Sequence, residues 1–158
     1  MNGVEQKIRT AQIGRCGEML VQYKLLLRGI ESAAMTTDSG VDLVAYSLVN
    51  KKAITIQVKT NLKPKRSGGG KGKPAVDWWL SAKSPAEYVA LVNLNPPEQI
   101  WLLAHVEMVS AAQQRPKNRL HFYMYIDSTV KTKTGKLAHC CDFEKFLLEN
   151  RIHEIFGV

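Results

Sequence analysis

The chain has 158 residues, of which 45% are hydrophobic, and 22 Lys and Arg against 14 Asp and Glu give it a formal net charge of +8. This length and composition predict one globular domain, residues 1–158, with a buried core. No apolar run approaches the ~20 residues that span a bilayer, and the N-terminus lacks a signal-peptide segment, so a cytoplasmic location is expected. The excess of positive charge favours a polyanionic partner, with nucleic acid before an anionic membrane surface.

The three cysteines, Cys16, Cys140 and Cys141, do not make a disulfide framework, and their odd number fits a reducing compartment. His139 precedes the adjacent pair, but this spacing is not that of zinc ligands. We therefore expect thiols rather than a metal site at residues 139–141.

The first predicted element is a helix from Val4 to Arg28, which Gly29 is well placed to end. Two stripes follow its three- and four-residue spacing. One stripe consists of Ile13, Cys16, Leu20, Tyr23 and Leu27, and the other of Gly14, Glu18, Val21 and Leu25. A helix with two such stripes is predicted to pack on two sides.

Glu18 would then lie in a packed setting, where a carboxylate is costly without a partner. One interpretation is a structural glutamate that Arg15 or Gln22 satisfies. The other is a carboxylate directed at a metal ion or at Lys59. The helix alone favours the first interpretation, and the strands that follow it make the second an equal alternative.

Two runs of strand-forming residues, Val41–Val49 and Ala53–Thr60, predict a β-hairpin with a tight turn at Asn50 and Lys51. Counting from this turn pairs Val49 with Lys52, Tyr46 with Thr55, Val44 with Gln57 and Asp42 with Lys59. Paired residues project from the same side of a sheet. One face of the hairpin is therefore predicted to carry Asp42, Gln57 and Lys59.

The order and spacing of these residues resemble the signature of the PD-(D/E)XK, or restriction-endonuclease-like, nuclease superfamily. That signature is an acid on one strand and Glu-x-Lys, or sometimes Gln-x-Lys, on the next, with a glutamate on the preceding helix. The matching segments are Gly40-Val41-Asp42, Gln57-Val58-Lys59 and Gly14-Arg15-Cys16-Gly17-Glu18. The resemblance covers residues 14–61, and Gln57 stands where an acid is commoner.

The resemblance implies an α/β fold in which a central mixed sheet with an antiparallel catalytic hairpin is flanked by helices, in the core order α-β-β-β-α-β. It also implies that Asp42 is the central ligand of Mg²⁺ or Mn²⁺. The side-chain oxygen of Gln57 and the backbone carbonyl of Val58 would complete part of the metal's shell. Glu18 would contribute directly or through water, and Lys59 would orient or help to deprotonate the attacking water. Asp38, in the loop before Asp42, is the second candidate for the acid.

The function implied by the resemblance is a metal-dependent endonuclease that hydrolyses phosphodiester bonds of double-stranded DNA, of restriction, homing or junction-resolving type. Cutting both strands usually takes two active sites, so a homodimer is expected. The alternative is a nucleic-acid-binding module on the same scaffold that has lost catalysis. The presence of Glu18, Asp42 and Lys59 together favours the enzyme.

A glycine-rich segment with five basic residues and no acid follows the hairpin, and it predicts a mobile surface loop. Its basic residues are Lys63, Lys65, Arg66, Lys71 and Lys73. The segment lacks the spacing of a phosphate-binding P-loop. We expect it to contact the nucleic-acid backbone, the alternative being a solvated loop without a partner. Two further basic clusters lie in predicted loops, at residues 115–119 and 131–136.

Two continuous apolar runs, Glu87–Asn93 and Ile100–Val106, predict strands at the centre of the sheet, and the second makes His105 a core residue. The tryptophans at 78, 79 and 101 are expected in the core rather than stacked on bases. Residues 106–114 predict a short helix and 121–126 a strand. Asp142 is placed to cap one last helix, which runs to Phe156.

Overall fold

The structure is a computed structural model that describes residues 7–133 and 135–158. Its strands are β1 (Ile30–Ala34), β2 (Leu43–Ser47), β3 (Ala53–Asn61), β4 (Lys65–Arg66), β5 (Pro74–Ser81), β6 (Tyr88–Asn93), β7 (Gln99–Ala104) and β8 (Arg119–Tyr125). Its helices are α1 (Thr10–Leu26), the single turn α2 (Ser67–Gly70), α3 (His105–Ala111) and α4 (Leu148–Phe156), with a 3₁₀ helix at Cys140–Phe146. None of the described helices combines the length and the apolar character that crossing a membrane requires.

The main sheet has five strands in the order β1-β2-β3-β6-β7, with β3 at its centre. The β3–β6 pair is parallel, whereas the other three pairs are antiparallel, so the sheet is mixed. One edge of the sheet is β1, which precedes the hairpin in the chain. Of the two apolar runs predicted at the centre, β6 lies inside the sheet, but β7 forms its other edge.

The parallel β3–β6 pair requires a long crossover between its strands. This crossover consists of β4, the single turn α2 and β5 instead of a long helix. Strand β5 pairs with β4 and β8 in a second, three-stranded antiparallel sheet. The core order α-β-β-β-α-β predicts a helix after the third strand. The chain has the single turn Ser67–Gly70 at that point, and the second sheet covers the side of the main sheet where the helix would lie.

Two apolar clusters hold the layers together, one on each face of the main sheet. Helices α1 and α4 pack on the first face, where the cluster includes Val21, Leu25, Ile56, Val92 and Ile152. The second sheet, α3 and the 3₁₀ helix pack on the other face, where the cluster includes Trp78, Trp101, Met108, Phe122 and Phe143. The covering on both faces explains why β6 reads as a continuous apolar run.

Helix α1 packs on one side only, in contrast to the prediction from its two stripes. The buried residues of the helix are Gly17, Val21 and Leu25, whereas Cys16, Tyr23 and Leu27 of the other stripe are exposed. The helix lies on β1 and β3, and no element of the described chain covers its outer side. The predicted start at Val4 lies outside the described residues.

Four local predictions from the second half of the chain are corrected. Trp79 is 38% exposed and lies outside the core in which it was predicted. His105 begins α3 and is not part of β7. The predicted last helix is divided, because Leu147 adopts an extended conformation between the 3₁₀ helix and α4. Asp142 lies inside the 3₁₀ helix, where its carboxylate accepts the backbone N–H groups of Ala138 and His139 at 3.0 Å.

Candidate active site and nucleic-acid interface

The β2–β3 hairpin has a register two residues away from the predicted one. Val44 pairs with Thr55 and Tyr46 with Ala53, because β2 ends at Ser47 and a longer connection than a tight turn follows. In that connection the backbone N–H of Ser47 donates to the carbonyl of Lys52 at 2.9 Å. A shift by two residues keeps every side chain on its face, since side chains alternate with a period of two.

The same face of β3 therefore carries Gln57 and Lys59, opposite to the face on which Ile56 and Val58 pack in the cluster beneath α1. Asp42 directly precedes β2, and its backbone N–H donates to the Ile56 carbonyl at 2.9 Å. Continuing the register places Asp42 beside Gln57 rather than opposite Lys59. The three polar side chains are thus neighbours on two adjacent segments of the hairpin.

The Asp42 carboxylate lies where the ladder between β2 and β3 stops. Its Oδ2 accepts a hydrogen bond from the backbone N–H of Val58 at 2.6 Å, a charge-assisted contact that fixes its orientation. The N–H and C=O groups of one strand residue point to the same neighbouring strand. The Val58 carbonyl therefore points to the same side of β3 as its N–H group, which is the side on which Asp42 lies.

Burial raises the pKa of Asp42 above its ordinary value, and the nearby negative charge of Glu18 adds to that rise. The hydrogen bond from Val58 and the positive charge of Lys59 act in the opposite direction without cancelling it. The Asp42 carboxylate thus lies within electrostatic range of a carboxylate on α1 and of an ammonium group on β3. A cation beside it would offset the cost of burying the Asp42 charge and the repulsion from Glu18.

Gln57 has a buried side chain, and its Oε1 atom finds no hydrogen-bond partner among the described residues. A buried carbonyl-type oxygen without a partner costs roughly 1–3 kcal/mol. Together with Asp42 and the Val58 carbonyl, this oxygen belongs to an all-oxygen donor set, which suits hard cations such as Mg²⁺ or Mn²⁺. The residues present therefore fit the metal that the sequence resemblance implies.

No group of three or more His, Cys, Asp or Glu side chains in the described chain is placed to hold a metal ion. A metal at this site would therefore depend on the amide oxygen of Gln57 and on a backbone carbonyl, and not on carboxylates alone. An amide oxygen carries no net charge. The affinity of the site for a cation is expected to be lower than with an acid at position 57.

Lys59 is half-buried, and none of the residues that the structure describes forms an ion pair with it. It lines a cavity of about 790 Å³ beside the start of α1, together with Lys63 and Lys65. An unpaired ammonium group beside an open cavity is available to a phosphate group. This cavity is the place where the hairpin and the basic segment meet.

Glu18 makes the contact that its structural interpretation predicts, because its Oε2 accepts from the Arg15 guanidinium at 2.7 Å. Its side chain is 25% exposed, so it is not fully packed. It also contributes to the raised pKa of Asp42. The structural contact and the proximity to the site coexist, and the role of Glu18 at a metal stays a prediction.

The basic segment is more ordered than a mobile loop. Lys65 and Arg66 form β4, and the backbone N–H of Ser67 donates to the Lys73 carbonyl at 3.1 Å, which closes the glycine turn. All five of its basic residues, Lys63, Lys65, Arg66, Lys71 and Lys73, are exposed. Of these, Lys63 and Lys65 are brought to the cavity of Lys59.

Gly17 is a residue of the site region that the sequence pattern did not single out. A Cβ atom at this position would lie 1.9 Å from Thr60 Oγ1, so only glycine lets α1 approach β3 this closely. Gly40 has φ of 83° in the turn before Asp42, and a Cβ there would lie 2.9 Å from Pro85 Cδ. The signal in the sequence was the presence of a glycine close to each acidic residue of the motif, Gly17 before Glu18 and Gly40 before Asp42.

No protein-family model and no curated protein matches the sequence. Among solved structures, the chain is similar to the bacterial homing endonuclease I-Ssp6803I, with a TM-score of 0.60 at 16% identity over 96% of this chain and 94% of the other. It is also similar to Hjc, a Holliday junction resolvase from Archaeoglobus fulgidus, with a TM-score of 0.48 at 17% identity over 69% and 82% of the two chains. The likeness to I-Ssp6803I over nearly the whole of both chains confirms the restriction-endonuclease-like fold that the sequence resemblance predicts.

Proposed function

We propose that this chain is a metal-dependent endonuclease that hydrolyses phosphodiester bonds of DNA. The observation that carries the proposal is the arrangement of Asp42, Gln57 and Lys59. A partly buried carboxylate, a buried amide oxygen without a partner and an unpaired lysine are neighbours at the start of β2 and on β3. The likeness in fold to a homing endonuclease supports the same interpretation.

The residues that would hold Mg²⁺ or Mn²⁺ are Asp42, Gln57 through Oε1, Val58 through its carbonyl, and Glu18 directly or through water. When bound, such an ion neutralises charge on the phosphoryl oxygens and lowers the pKa of a bound water. Asp42 is held in place by the Val58 N–H, so its free oxygen has a defined direction. Burial of the Gln57 oxygen keeps competing water away from it.

Lys59 is assigned the role of positioning the attacking water and stabilising the phosphoryl charge. Its ammonium group can donate hydrogen bonds to a water or to a phosphate oxygen, and both roles require it to be free of an internal ion pair. The exposed lysines at 63 and 65 line the same cavity and would hold the phosphates next to the one that is cleaved.

Thermal unfolding across a Mn²⁺ titration tests the metal site. We expect Mn²⁺ to raise the melting temperature of the parent, since a ligand that binds the folded state at 100 times its Kd stabilises it by about 2.7 kcal/mol. Gln57→Glu should respond more strongly, because a carboxylate replaces an uncharged oxygen at the same length. Without metal the same variant should be less stable at neutral pH, since a buried negative charge is added beside Asp42.

Asp42→Asn is expected to abolish the response to Mn²⁺ and to raise stability in its absence at neutral pH. The sign follows from the raised pKa of Asp42, because the folded state binds this proton more tightly than the unfolded state does. The free energy of unfolding therefore falls as pH rises through that pKa, and the variant does not suffer this loss. Asp38→Asn tests the second candidate for the acid, and because Asp38 is exposed in the preceding loop this variant should keep the parental response. If parent, Gln57→Glu and Asp42→Asn respond alike, there is no metal site here.

That outcome would favour the second candidate function, a nucleic-acid-binding module without catalysis. The amide at position 57 is the observation on its side, because a module that has lost its metal has no need of a carboxylate there. DNA cleavage and DNA binding separate the two candidates. A chain that binds DNA and cleaves neither duplex nor junction with Mg²⁺ or Mn²⁺ would be the module.

The basic segment gives a second test of DNA binding. Replacing Lys63, Lys65, Arg66, Lys71 and Lys73 by serine should weaken binding to duplex DNA. It should also flatten the dependence of log K on log salt by about 0.9 for each phosphate that the variant no longer neutralises. The control replaces Lys51 and Lys52, which are exposed in the β2–β3 connection. An unchanged slope in the variant with five serines would show that the segment is a solvated loop that does not contact DNA.

A homodimer is part of the proposal, because cutting both strands of a duplex in one encounter usually takes two active sites. Sedimentation of the chain with a short DNA duplex measures the stoichiometry. Two chains on each duplex are expected, and a single chain on each duplex at saturation would count against the dimer.

A further inference from the structure

The outer face of the second sheet carries a row of aromatic rings. Strand β8 alternates Phe122 and Met124, which pack inward, with His121, Tyr123 and Tyr125, which point outward. The ring centroids of His121 and Tyr123 are 5.6 Å apart, and those of Tyr123 and Tyr125 are also 5.6 Å apart. Trp79 of β5 extends the row, stacked on His121 at 4.1 Å with an angle of 5° between the rings.

Two concave regions of about 510 and 410 Å³ adjoin over Tyr123 and Tyr125, and together they form a groove along β8. One wall carries Lys65 and Arg66, next to the glycine turn. The opposite wall carries Lys131, Lys133 and Lys136. The groove therefore has a floor of aromatic rings between two positively charged walls.

The charge of the groove is not neutralised from within. Among its described lining residues the carboxylate is that of Asp77, whose Oδ2 lies 3.0 Å from His121 Nε2. Gln114 Oε1 lies 3.2 Å from the other ring nitrogen, so the imidazole is held between two side chains. Lys65, Arg66, Lys131 and Lys133 are exposed and are left to an external anion.

We propose that this groove binds single-stranded DNA, with bases stacked on Tyr123 and Tyr125 and phosphates held by the two basic walls. Aromatic rings between positive charges suit a ligand that carries both π-faces and phosphates, and the 72° between the rings of Tyr123 and Tyr125 assigns each ring a separate base. In a duplex the base faces are already stacked on one another, so a duplex offers phosphates but no faces for the tyrosines. Stacking needs no metal, and this site goes beyond the cleavage site at Asp42.

The groove is connected to the candidate active site through Lys65. This residue lines both the groove and the cavity that contains Lys59. A single strand lying on the tyrosines would therefore continue along β4 towards Lys59. The choice of DNA rather than RNA rests on the proposed function, whereas the stacking itself suits either nucleic acid.

Fluorescence anisotropy with a labelled oligomer of about 12 thymidines tests the proposal, a length within the ~4–16 nucleotides that such surfaces cover. The double variant Tyr123→Leu, Tyr125→Leu should bind about tenfold more weakly or worse, because leucine keeps the bulk but has no π-face. The double variant with phenylalanine should bind as the parent does. Tyr23→Leu is the matched control, since Tyr23 is exposed on α1, away from the groove.

Lys131→Ser with Lys133→Ser provides a second arm in which folding is not at risk, because both lysines are exposed. We expect weaker binding of the single strand and a salt slope lower by about 0.7 for each phosphate that is no longer neutralised. This binding should persist in EDTA, because stacking needs no metal, whereas cleavage should stop, so failure of the nuclease proposal and failure of this one give different results. An oligomer of uridines should bind with similar affinity, since the stacking suits either nucleic acid, and uridines bound much more tightly than thymidines would overturn the assignment to DNA.

The proposal is overturned if the leucine variant, shown to be folded by its melting temperature, binds the oligomer as tightly as the parent. It is also overturned if the phenylalanine and leucine variants lose affinity equally, since that loss would not depend on a π-face. A third contrary result is an unchanged affinity and salt slope after the two lysine replacements.

Discussion

Replacing Lys59 by alanine is expected to slow DNA cleavage by roughly 10²- to 10⁴-fold, the usual contribution of a group that moves or positions a proton in the transition state. The same variant should keep the rise in melting temperature that Mn²⁺ produces in the parent. Loss of cleavage with retention of metal binding would separate the lysine from the donor set of Asp42, Gln57 and Val58.

The structure supplies the reason for this separation. Lys59 is half-buried on the same face of β3 as Gln57, and no described residue forms an ion pair with it. Its ammonium group lowers the pKa of Asp42, opposing part of the rise caused by burial. Removing it should therefore leave Asp42 with a still higher pKa. Metal binding should then weaken slightly at low pH without being lost.

Cleavage of a supercoiled plasmid and of a four-way junction, each with Mg²⁺ or Mn²⁺, provides the measurement. Lys52→Ala is the control, because Lys52 is exposed at the far end of the hairpin and the variant should cleave at the parental rate. A Lys59→Ala variant that cleaves as fast as the parent would remove Lys59 from the mechanism, even if the metal site were real.

The polar face of the hairpin could be predicted from the sequence, but its register could not. The alternation of Ile54, Ile56 and Val58 with polar residues defines which side chains share a face. The register depends on the length of the connection, and the strand-forming run continues to Val49 although β2 ends at Ser47. An error of two residues preserved the face and displaced every cross-strand partner, that of Asp42 included.

Features that depend on packing between distant segments were not accessible from the pattern. The outer stripe of α1 is as periodic as the inner one, and only the absence of a covering element in the described chain leaves Tyr23 and Leu27 exposed. Similarly, residues 121–126 predict a strand but not which of its faces is outward. That choice is made by pairing with β5, which turns Phe122 inward and leaves the tyrosines outside.

Gln57 shows the same limit at the site itself. Its position in the motif was evident, but the burial of its Oε1 without a partner follows from the surrounding packing. The crossover from β3 to β6 is another case, because glycines after Lys63 favour a loop, whereas pairing with β5 orders Lys65 and Arg66 as a strand. In the crossover, pairing between strands overrode the local preference for a loop. At Gln57, packing decided the burial of the side chain.

Gly17→Ala is expected to destabilise the protein although alanine is the better helix former. A methyl group at Gly17 would lie 1.9 Å from Thr60 Oγ1, 2.8 Å from its Cγ2 and 2.9 Å from its Cβ. Overpacking of this kind costs about 1–3 kcal/mol, against a gain of roughly 0.5–1 kcal/mol from replacing a glycine inside a helix. Because Thr60 is β-branched and its Cβ is fixed to β3, rotation of its side chain relieves only part of the clash.

Gly14→Ala is the matched control, one turn earlier in the same helix. No atom lies within 4 Å of a Cβ placed there, so the helix-propensity gain of roughly 0.5–1 kcal/mol should appear in full. The two variants should therefore shift the free energy of unfolding in urea in opposite directions. Thr60→Ala in the Gly17→Ala background should recover part of the loss, since it removes the two nearest atoms. If Gly17→Ala is as stabilising as Gly14→Ala, the close approach of α1 to β3 does not exist, and the proximity of Glu18 to Asp42 fails with it.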